Sequence, residues 1–334
     1  MAVYTEVLFD EAAGLIERLS IGTLQLLRPC AGGIENTNYF VDTDRGRYVL
    51  TLFERLDDTQ LPFYLALMKH LADRGLPVPG PHVDADGAIL HRLAGKPAAV
   101  VDRLPGVHHL APDAAHCASL GTLLAEMHVA VGDFTLQQPN LRGLGWWQST
   151  LPVVLAFLDG ERQALARDEL DYQLTVARSA LYATLPRGAI HADLFRDNAL
   201  FEGDRLSGVL DFYFAGVDSL AFDIAVCLND WCIDLETGRL ATDRATALVG
   251  AYAAVRPLTN AERRLMPALL RAAALRFWIS RLWDAHLPRD AKILTAHDPD
   301  HFERVLRARV ASPWHPLPGS DAPDPLTDDP TAPE

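Results

Sequence analysis

Lysine is scarce in this chain. Of 30 basic residues only Lys69, Lys96 and Lys292 are lysines, and the other 27 are arginines. Any task that chemistry reserves for a lysine therefore has three candidates. Cysteine is scarce too. Cys30, Cys117, Cys227 and Cys232 match neither a Cys-x-x-Cys pair nor a zinc-site spacing, which predicts free, buried thiols in a reducing compartment, the cytoplasm. No apolar run nears the roughly 20 residues that cross a bilayer, so no membrane partner is expected. The opening Met1-Ala2-Val3-Tyr4-Thr5-Glu6 lacks the basic and apolar regions of a secretory signal. Positive charge is in deficit: the net charge is -14 and the pI about 5.2. That argues against nucleic acid as a main partner, because phosphate backbones are held by basic surfaces.

What is present is a chain of 334 residues, 49% hydrophobic, enough for about two domains with a sizeable core. Residues 10–19 read as an amphipathic helix and 23–27 as a strand. A small, polar turn follows, Cys30-Ala31-Gly32-Gly33-Ile34-Glu35-Asn36-Thr37-Asn38, and then strands at 39–41 and 47–53 around a glycine-containing turn. Leu61, Leu65, Met68 and Leu71 sit at helical spacing, ahead of Gly75, Pro77 and Pro79. A strand pair is expected at 87–93 and 97–102. This is the order of a small α+β lobe. Near Leu104 the pattern changes to helices at 111–131, 151–158, 162–185, 222–235, 242–255 and 260–286, interrupted by a strand–loop–strand segment around 188–214. The boundaries expected are 1–104, 105–311, and a Pro- and Asp-rich disordered tail at 312–334.

The chemistry-bearing segment is Ile190-His191-Ala192-Asp193-Leu194-Phe195-Arg196-Asp197-Asn198, with Asp211 thirteen positions later in Gly208-Val209-Leu210-Asp211-Phe212-Tyr213. A carboxylate, an amide five residues on and a second carboxylate after a short strand suit phosphoryl transfer. That reaction needs a group to orient and deprotonate the acceptor hydroxyl and oxygen ligands to hold Mg²⁺ against phosphates. Asp193 fits the first role, with an ordinary carboxylate pKa near ~4 and orientation as its main contribution. Asn198 and Asp211 fit the second. Asp211 reads as a charge on a buried strand, which a metal would compensate. Each residue also has a plainer reading: Asp193 as a helix cap, Asn198 and Asp211 as turn formers. Asp197 reads as facing solvent or capping a helix.

These residues, with Leu120-Gly121-Thr122-Leu123-Leu124-Ala125-Glu126-Met127-His128 and Asp218-Ser219-Leu220-Ala221-Phe222-Asp223-Ile224-Ala225, resemble the protein-kinase-like superfamily, within it the aminoglycoside phosphotransferase and choline kinase group. The resemblance covers about residues 20 to 290. Gly33-Ile34-Glu35-Asn36-Thr37-Asn38-Tyr39, Tyr48-Val49-Leu50-Thr51-Leu52-Phe53-Glu54 and Leu275-Arg276-Phe277-Trp278-Ile279-Ser280-Arg281-Leu282 resemble bacterial homoserine kinases of the phosphotransferase type. The resemblance implies an α+β, two-lobed protein-kinase-like fold, with a small antiparallel-sheet N-lobe that binds nucleotide and a larger, mainly helical C-lobe. It implies ATP and Mg²⁺ as cofactors and L-homoserine as the acceptor, phosphorylated on the way to threonine. It places Gly32, Gly33, Asn36, Thr37 and Asn38 near the phosphates. It gives His191 a supporting role in the loop. Asp223 would brace the same loop through a basic side chain such as Arg196.

One departure stands out. Kinases hold the α- and β-phosphates with a strand lysine paired to a helix glutamate. The matching position here is Thr51, and the following helix offers Leu61-Pro62-Phe63-Tyr64-Leu65 where the glutamate is sought. Both halves of the pair are missing together. Arg47 or Arg55 is expected to carry phosphate charge in their stead. The gap opens two other readings: a kinase for another small alcohol or amine, or a nucleotide-binding protein without turnover. On the last long helix, Ala272, Leu275, Ile279 and Trp283 form a stripe with Arg276 at its edge, so Arg276 is expected near the acceptor carboxylate, or else in a structural ion pair. Arg281 is expected on the opposite face, paired with Asp284. Asp230, Asp234 and Glu236 either add negative potential at the cleft or line a solvated helix face.

Overall fold

A computed structural model describes residues 5–30, 36–287 and 298–316. Gly32 and Gly33, Lys292 and most of the expected tail lie outside them. The small lobe is built on a five-stranded antiparallel sheet in the order β1-β2-β3-β5-β4. Its strands are β1 (Leu24–Pro29), β2 (Asn36–Thr43), β3 (Arg47–Phe53), β4 (His91–Leu93) and β5 (Lys96–Asp102). Alternation gives the sheet two faces. Thr37, Tyr39 and Val41 point to one side, where Tyr39 and Val41 join Leu50, Leu52 and Val100 in a core. Helix α1 (Phe9–Arg18) closes that core with Ala12, Leu15 and Ile16. Asn36, Asn38 and Phe40 take the other side. There Phe53, Ala99 and Val101 run into the core of the helical part, together with α2 (Leu61–Ala72). Register sets Asn38 beside Thr51 and Thr51 beside Ala99 on that inner face.

The helical part contains α3 (Ala114–Ala130), α4 (Leu144–Val154), α5 (Gly160–Arg178), α6 (Ala180–Ala183), α7 (Leu220–Trp231), α8 (Thr242–Val255), α9 (Asn260–His286) and α10 (Asp300–Ala311). α3 and α8 touch backbone to backbone. A Cβ on Gly121 would lie 2.1 Å from the Leu248 carbonyl oxygen, so the Leu-Gly-Thr sequence is a packing requirement.

Several elements depart from the expected ones. α4 begins seven residues before 151 and carries Gly145 and Pro152, two residues that disfavour a helix interior. The helix expected at 162–185 breaks at Ser179, whose hydroxyl accepts the Tyr182 N–H and caps α6. α10 was not expected. It packs Phe302, Val305 and Leu306 against α9. With α10, α7, α4 and α5 around it, α9 is buried continuously from Ala272 to Ile279 instead of along one stripe. Arg276 is therefore inside the protein, 2% exposed, not at an edge.

Two short ribbons carry the candidate residues. β6 (Arg187–Ile190) pairs with β9 (Gly216–Ser219), and β7 (Ala199–Glu202) with β8 (Arg205–Val209), both antiparallel. The 191–198 loop leaves β6 and enters β7, while Asp211 lies between β8 and β9. Both connections emerge at the same end of the ribbons. The Leu210 N–H donates to the Asn198 carbonyl at 2.8 Å and ties them together.

Candidate active site

The loop is held from below by Asp223. This carboxylate, in the first turn of α7, is fully buried and accepts the N–H groups of His191 (2.9 Å) and Ala192 (2.8 Å). His128 Nε2 stands 3.2 Å from it and uses Nδ1 to meet the Tyr252 hydroxyl at 2.8 Å. Burial alone would raise the Asp223 pKa, but the His128 and His191 contacts outweigh it and hold the group below its ordinary range. The brace has a use. Ala192 sits at φ 65°, a left-handed conformation that costs about 1–2 kcal/mol. Hydrogen bonds to a charged acceptor are worth roughly 1.5–3 kcal/mol each, enough to impose it. The brace is backbone and His128; Arg196 takes no part in it. Arg196 pairs instead with Asp230, through Nε at 3.0 Å and the backbone N–H at 2.9 Å. Asp230 is thereby a buried loop anchor rather than a solvated acid. His191 is buried between two backbone groups. Its Nδ1 accepts the Asp193 N–H at 3.2 Å and its Nε2 donates to the Leu210 carbonyl at 2.8 Å, so the ring is neutral; burial pushes its pKa down.

Asp193 projects from this loop with 18% of its side chain exposed. Burial raises its pKa to about 7, against a lowering pull from Arg276 and a raising push from Asp211. The expected ordinary pKa is thus overturned: α9 covers the carboxylate, and a group titrating near neutral pH is a better base than one near ~4. Arg276 Nη1 lies 3.2 Å from Asp193 Oδ1. Its guanidinium stacks 3.6 Å from the Phe277 ring centroid and 5.5 Å from that of Phe214, and its pKa is lowered to about 10, chiefly by burial. Arg281 is half-buried; burial lowers its pKa, and the charges of both Asp193 and Asp284 bear on it.

Asn198 donates its amide Nδ2–H to the Asp193 carbonyl at 2.9 Å, which fixes the side chain and aims Oδ1 the other way. Asp211 is exposed and left-handed, at φ 61° and ψ 64°, beyond the end of β8. It is not a charge inside a buried strand, so burial gives no argument for a metal there. The donor types do. An amide oxygen and a carboxylate on two adjoining connections suit Mg²⁺, which takes one or two protein oxygens and completes its shell with phosphates and water. Among the described residues no group of three or more His, Cys, Asp or Glu could hold a metal unaided.

On the sheet side, Thr51 Oγ1 donates to Asn38 Oδ1 at 2.8 Å on the inner face. Thr37 is turned the other way. It is fully buried and its hydroxyl donates to Glu54 at 2.7 Å, so only its backbone is available to a nucleotide. Glu54 also holds Lys96 at 3.0 Å, which keeps that lysine on the outer face, away from Thr51. Arg47 lies four residues before Thr51, about 13 Å along the strand at the hinge end. Arg55 is exposed just past the other end of β3, and no described residue forms an ion pair with it. The sequence alone did not single out His128, although the motif containing it was in view.

Comparison with known proteins agrees with this arrangement. The sequence profile of the phosphotransferase enzyme family matches residues 26–258. The chain belongs to that family. Among similar proteins, a homoserine kinase of Polaromonas naphthalenivorans is 63% identical over 314 residues, 94% of this chain and 99% of that protein. A homoserine kinase of Cupriavidus taiwanensis is 54% identical, covering 95% of this chain and 98% of its own. Similar solved folds include amicoumacin kinase in complex with AMP-PNP, Ca²⁺ and Ami (TM-score 0.64, 16% identity, covering 90% of this chain and 92% of that one). Choline kinase from Cryptosporidium parvum is another (TM-score 0.62, 11% identity, covering 90% and 94%). These neighbours bear out the two-lobed protein-kinase-like architecture.

Proposed function

We propose that this chain transfers the γ-phosphoryl group of ATP to the side-chain hydroxyl of L-homoserine, giving O-phospho-L-homoserine and ADP in the route to threonine. The observation that carries the reading is the 63% identity to a homoserine kinase across nearly the full length of both chains. In this reading the small lobe to about residue 104 takes the nucleotide, and residues 105–311 take the acceptor. The Thr37 backbone, Asn36 and Asn38 lie along the nucleotide, and Gly32 and Gly33, outside the described residues, are assigned to the same role. Arg55, exposed just past the end of β3, supplies a cation to the nucleotide phosphates.

Asp193 accepts a hydrogen bond from the homoserine hydroxyl, aims its oxygen at the γ-phosphorus, and takes the proton as the new O–P bond forms and ADP leaves. Because the transition state is loose, this transfer comes late and positioning matters as much as basicity. Arg276 fixes the carboxylate and favours its ionised form. Asn198 and Asp211 would hold Mg²⁺, which neutralises charge on the phosphate oxygens. His191 and Asp223 keep the loop in shape. Among the described residues no helix is long and apolar enough to cross a membrane. A cytoplasmic enzyme with small-molecule substrates, and with neither nucleic acid nor membrane as partner, is part of the same reading.

The test is a panel of acceptors with ADP release as the readout. L-homoserine is expected to turn over, and choline, ethanolamine and kanamycin to stay near background. Preferential turnover of any of those three would replace the reading.

A further inference from the structure

Three aromatic rings join the segments that carry Asp193 and Arg276. Phe195 comes from the 191–198 loop, Phe277 from α9 and Phe302 from α10, and all three are buried. Their centroids lie 4.4 Å apart for Phe195 and Phe277, 5.0 Å for Phe277 and Phe302, and 5.8 Å for Phe195 and Phe302. Each ring therefore packs on both of the others.

Two of the rings are tied to the chemistry. The Phe195 N–H donates to the Asp193 carbonyl at 2.8 Å, the same oxygen that Asn198 Nδ2 reaches, and the Phe195 carbonyl accepts the Asn198 N–H at 2.9 Å. Phe195 is thus part of the turn that aims Asp193. Phe277 follows Arg276 in α9, and the Arg276 guanidinium lies 3.6 Å from its ring centroid. A shift of the Phe195 ring carries the carboxylate with it, and a shift of the Phe277 ring carries the guanidinium. Phe302 has no tie to either group and supports both rings.

The helix behind Phe302 is pinned at both ends. In its first turn Asp300 and Glu303 pair with Arg162 of α5. In its last turn the buried Arg309 donates through Nε to Asn229 Oδ1 at 2.9 Å and through Nη1 to the Gly238 carbonyl at 3.2 Å. Interiors are close-packed, so neighbours move when a ring is cut back.

We propose that Phe302 is a positioning residue for phosphoryl transfer: by holding Phe195 and Phe277 together it sets Asp193 against Arg276. The proposal rests on the reading of Asp193 as the group that orients the homoserine hydroxyl.

The test measures kcat and the KM values for homoserine and ATP in wild type, Phe302→Leu, Phe302→Met and Val305→Ala, at a temperature where thermal melts show each one folded. Val305 is buried on the same helix and belongs to no ring of the cluster, so Val305→Ala controls for lost packing. Phe302→Leu should lower kcat about tenfold, because small misplacements of reacting groups are costly. Both KM values should stay within about twofold of wild type. Phe302→Met, an unbranched filler that keeps a sulfur–aromatic contact, should fall between. Val305→Ala should keep the wild-type kcat. Because Phe302 acts through Asp193, adding Phe302→Leu to Asp193→Asn should slow the residual rate by less than about twofold. A purely structural loss would cost the same factor in both backgrounds. A folded Phe302→Leu with wild-type kcat, an equal kcat loss in Val305→Ala, or an undiminished loss in the Asp193→Asn background overturns the assignment and leaves the homoserine reading standing. If Phe302→Leu does not fold, Phe302→Met carries the same comparisons. A wild-type chain inactive on homoserine overturns both.

Discussion

Replacing Arg276 with glutamine removes the cation beside Asp193 while keeping most of the side-chain volume. At 3.2 Å and an effective dielectric near 20, the lost attraction is at most about 5 kcal/mol, or about four pKa units. Water entering the site and the remaining charge of Arg281 reduce this, so a rise of at least about one unit is expected, from about 7 to about 8 or above. The sign follows from the role. A base works ionised, so turnover is present above its pKa and falls as pH drops through it. The acid limb of kcat should therefore move to higher pH, and at pH 7 the ionised fraction should fall from about a half to about a tenth. The assay is kcat against pH with saturating homoserine and ATP. Arg276→Lys retains a cation and should return the limb towards wild type. Stability gives a second reading. A carboxylate whose folded pKa is raised loses stability as pH climbs from its unfolded pKa, near ~4, to the folded one. Arg276→Gln should thus be more destabilised at pH 8 than at pH 6. An acid limb that stays in place in a folded Arg276→Gln protein would refute the coupling of these two residues.

Asp193→Asn should lower kcat by about 10²- to 10⁴-fold, with a thermal melt to confirm folding; a folded variant that keeps wild-type kcat would rule Asp193 out as the base. Asp223→Ala strands the His191 and Ala192 N–H groups and should cost about 2–5 kcal/mol in chemical denaturation, with turnover falling in step. Thr51→Lys breaks the Asn38 bond and places an ammonium in an arrangement that does without one. Its rate should not rise; a large gain in ATP turnover would show that the lysine gap is a defect.

The grouping of the candidate residues was legible in the sequence because its information is local. Asp193, Asn198 and Asp211 belong to connections of two adjacent ribbons, and their spacing alone brings them to one end. The antiparallel sheet was legible for the same reason, with β3 bounded as expected. What escaped depends on distant partners. The choice of Asp230 by Arg196, and of His128 by Asp223, is made by the packing of α3 and α7 around the loop. The raised pKa of Asp193 and the full burial of Arg276 come from α9 being covered on every side. α10 supplies one of those sides, although Phe302, Val305 and Leu306 in it are at helical spacing. Asp211 was misread because the apolar run around it looks like one strand. In fact the strand stops at Val209, and the left-handed turn that follows carries the carboxylate out to solvent.

The central claim is a phosphoryl transfer to one hydroxyl. Its most direct test is ³¹P NMR of the wild-type chain incubated with ATP, Mg²⁺ and L-homoserine, with Asp193→Asn alongside. The account predicts a single new phosphomonoester resonance from O-phosphohomoserine, growing in step with ADP, and growing at least about a hundredfold more slowly with Asp193→Asn. ADP accompanied only by inorganic phosphate, or an equal ester signal from Asp193→Asn, would contradict it.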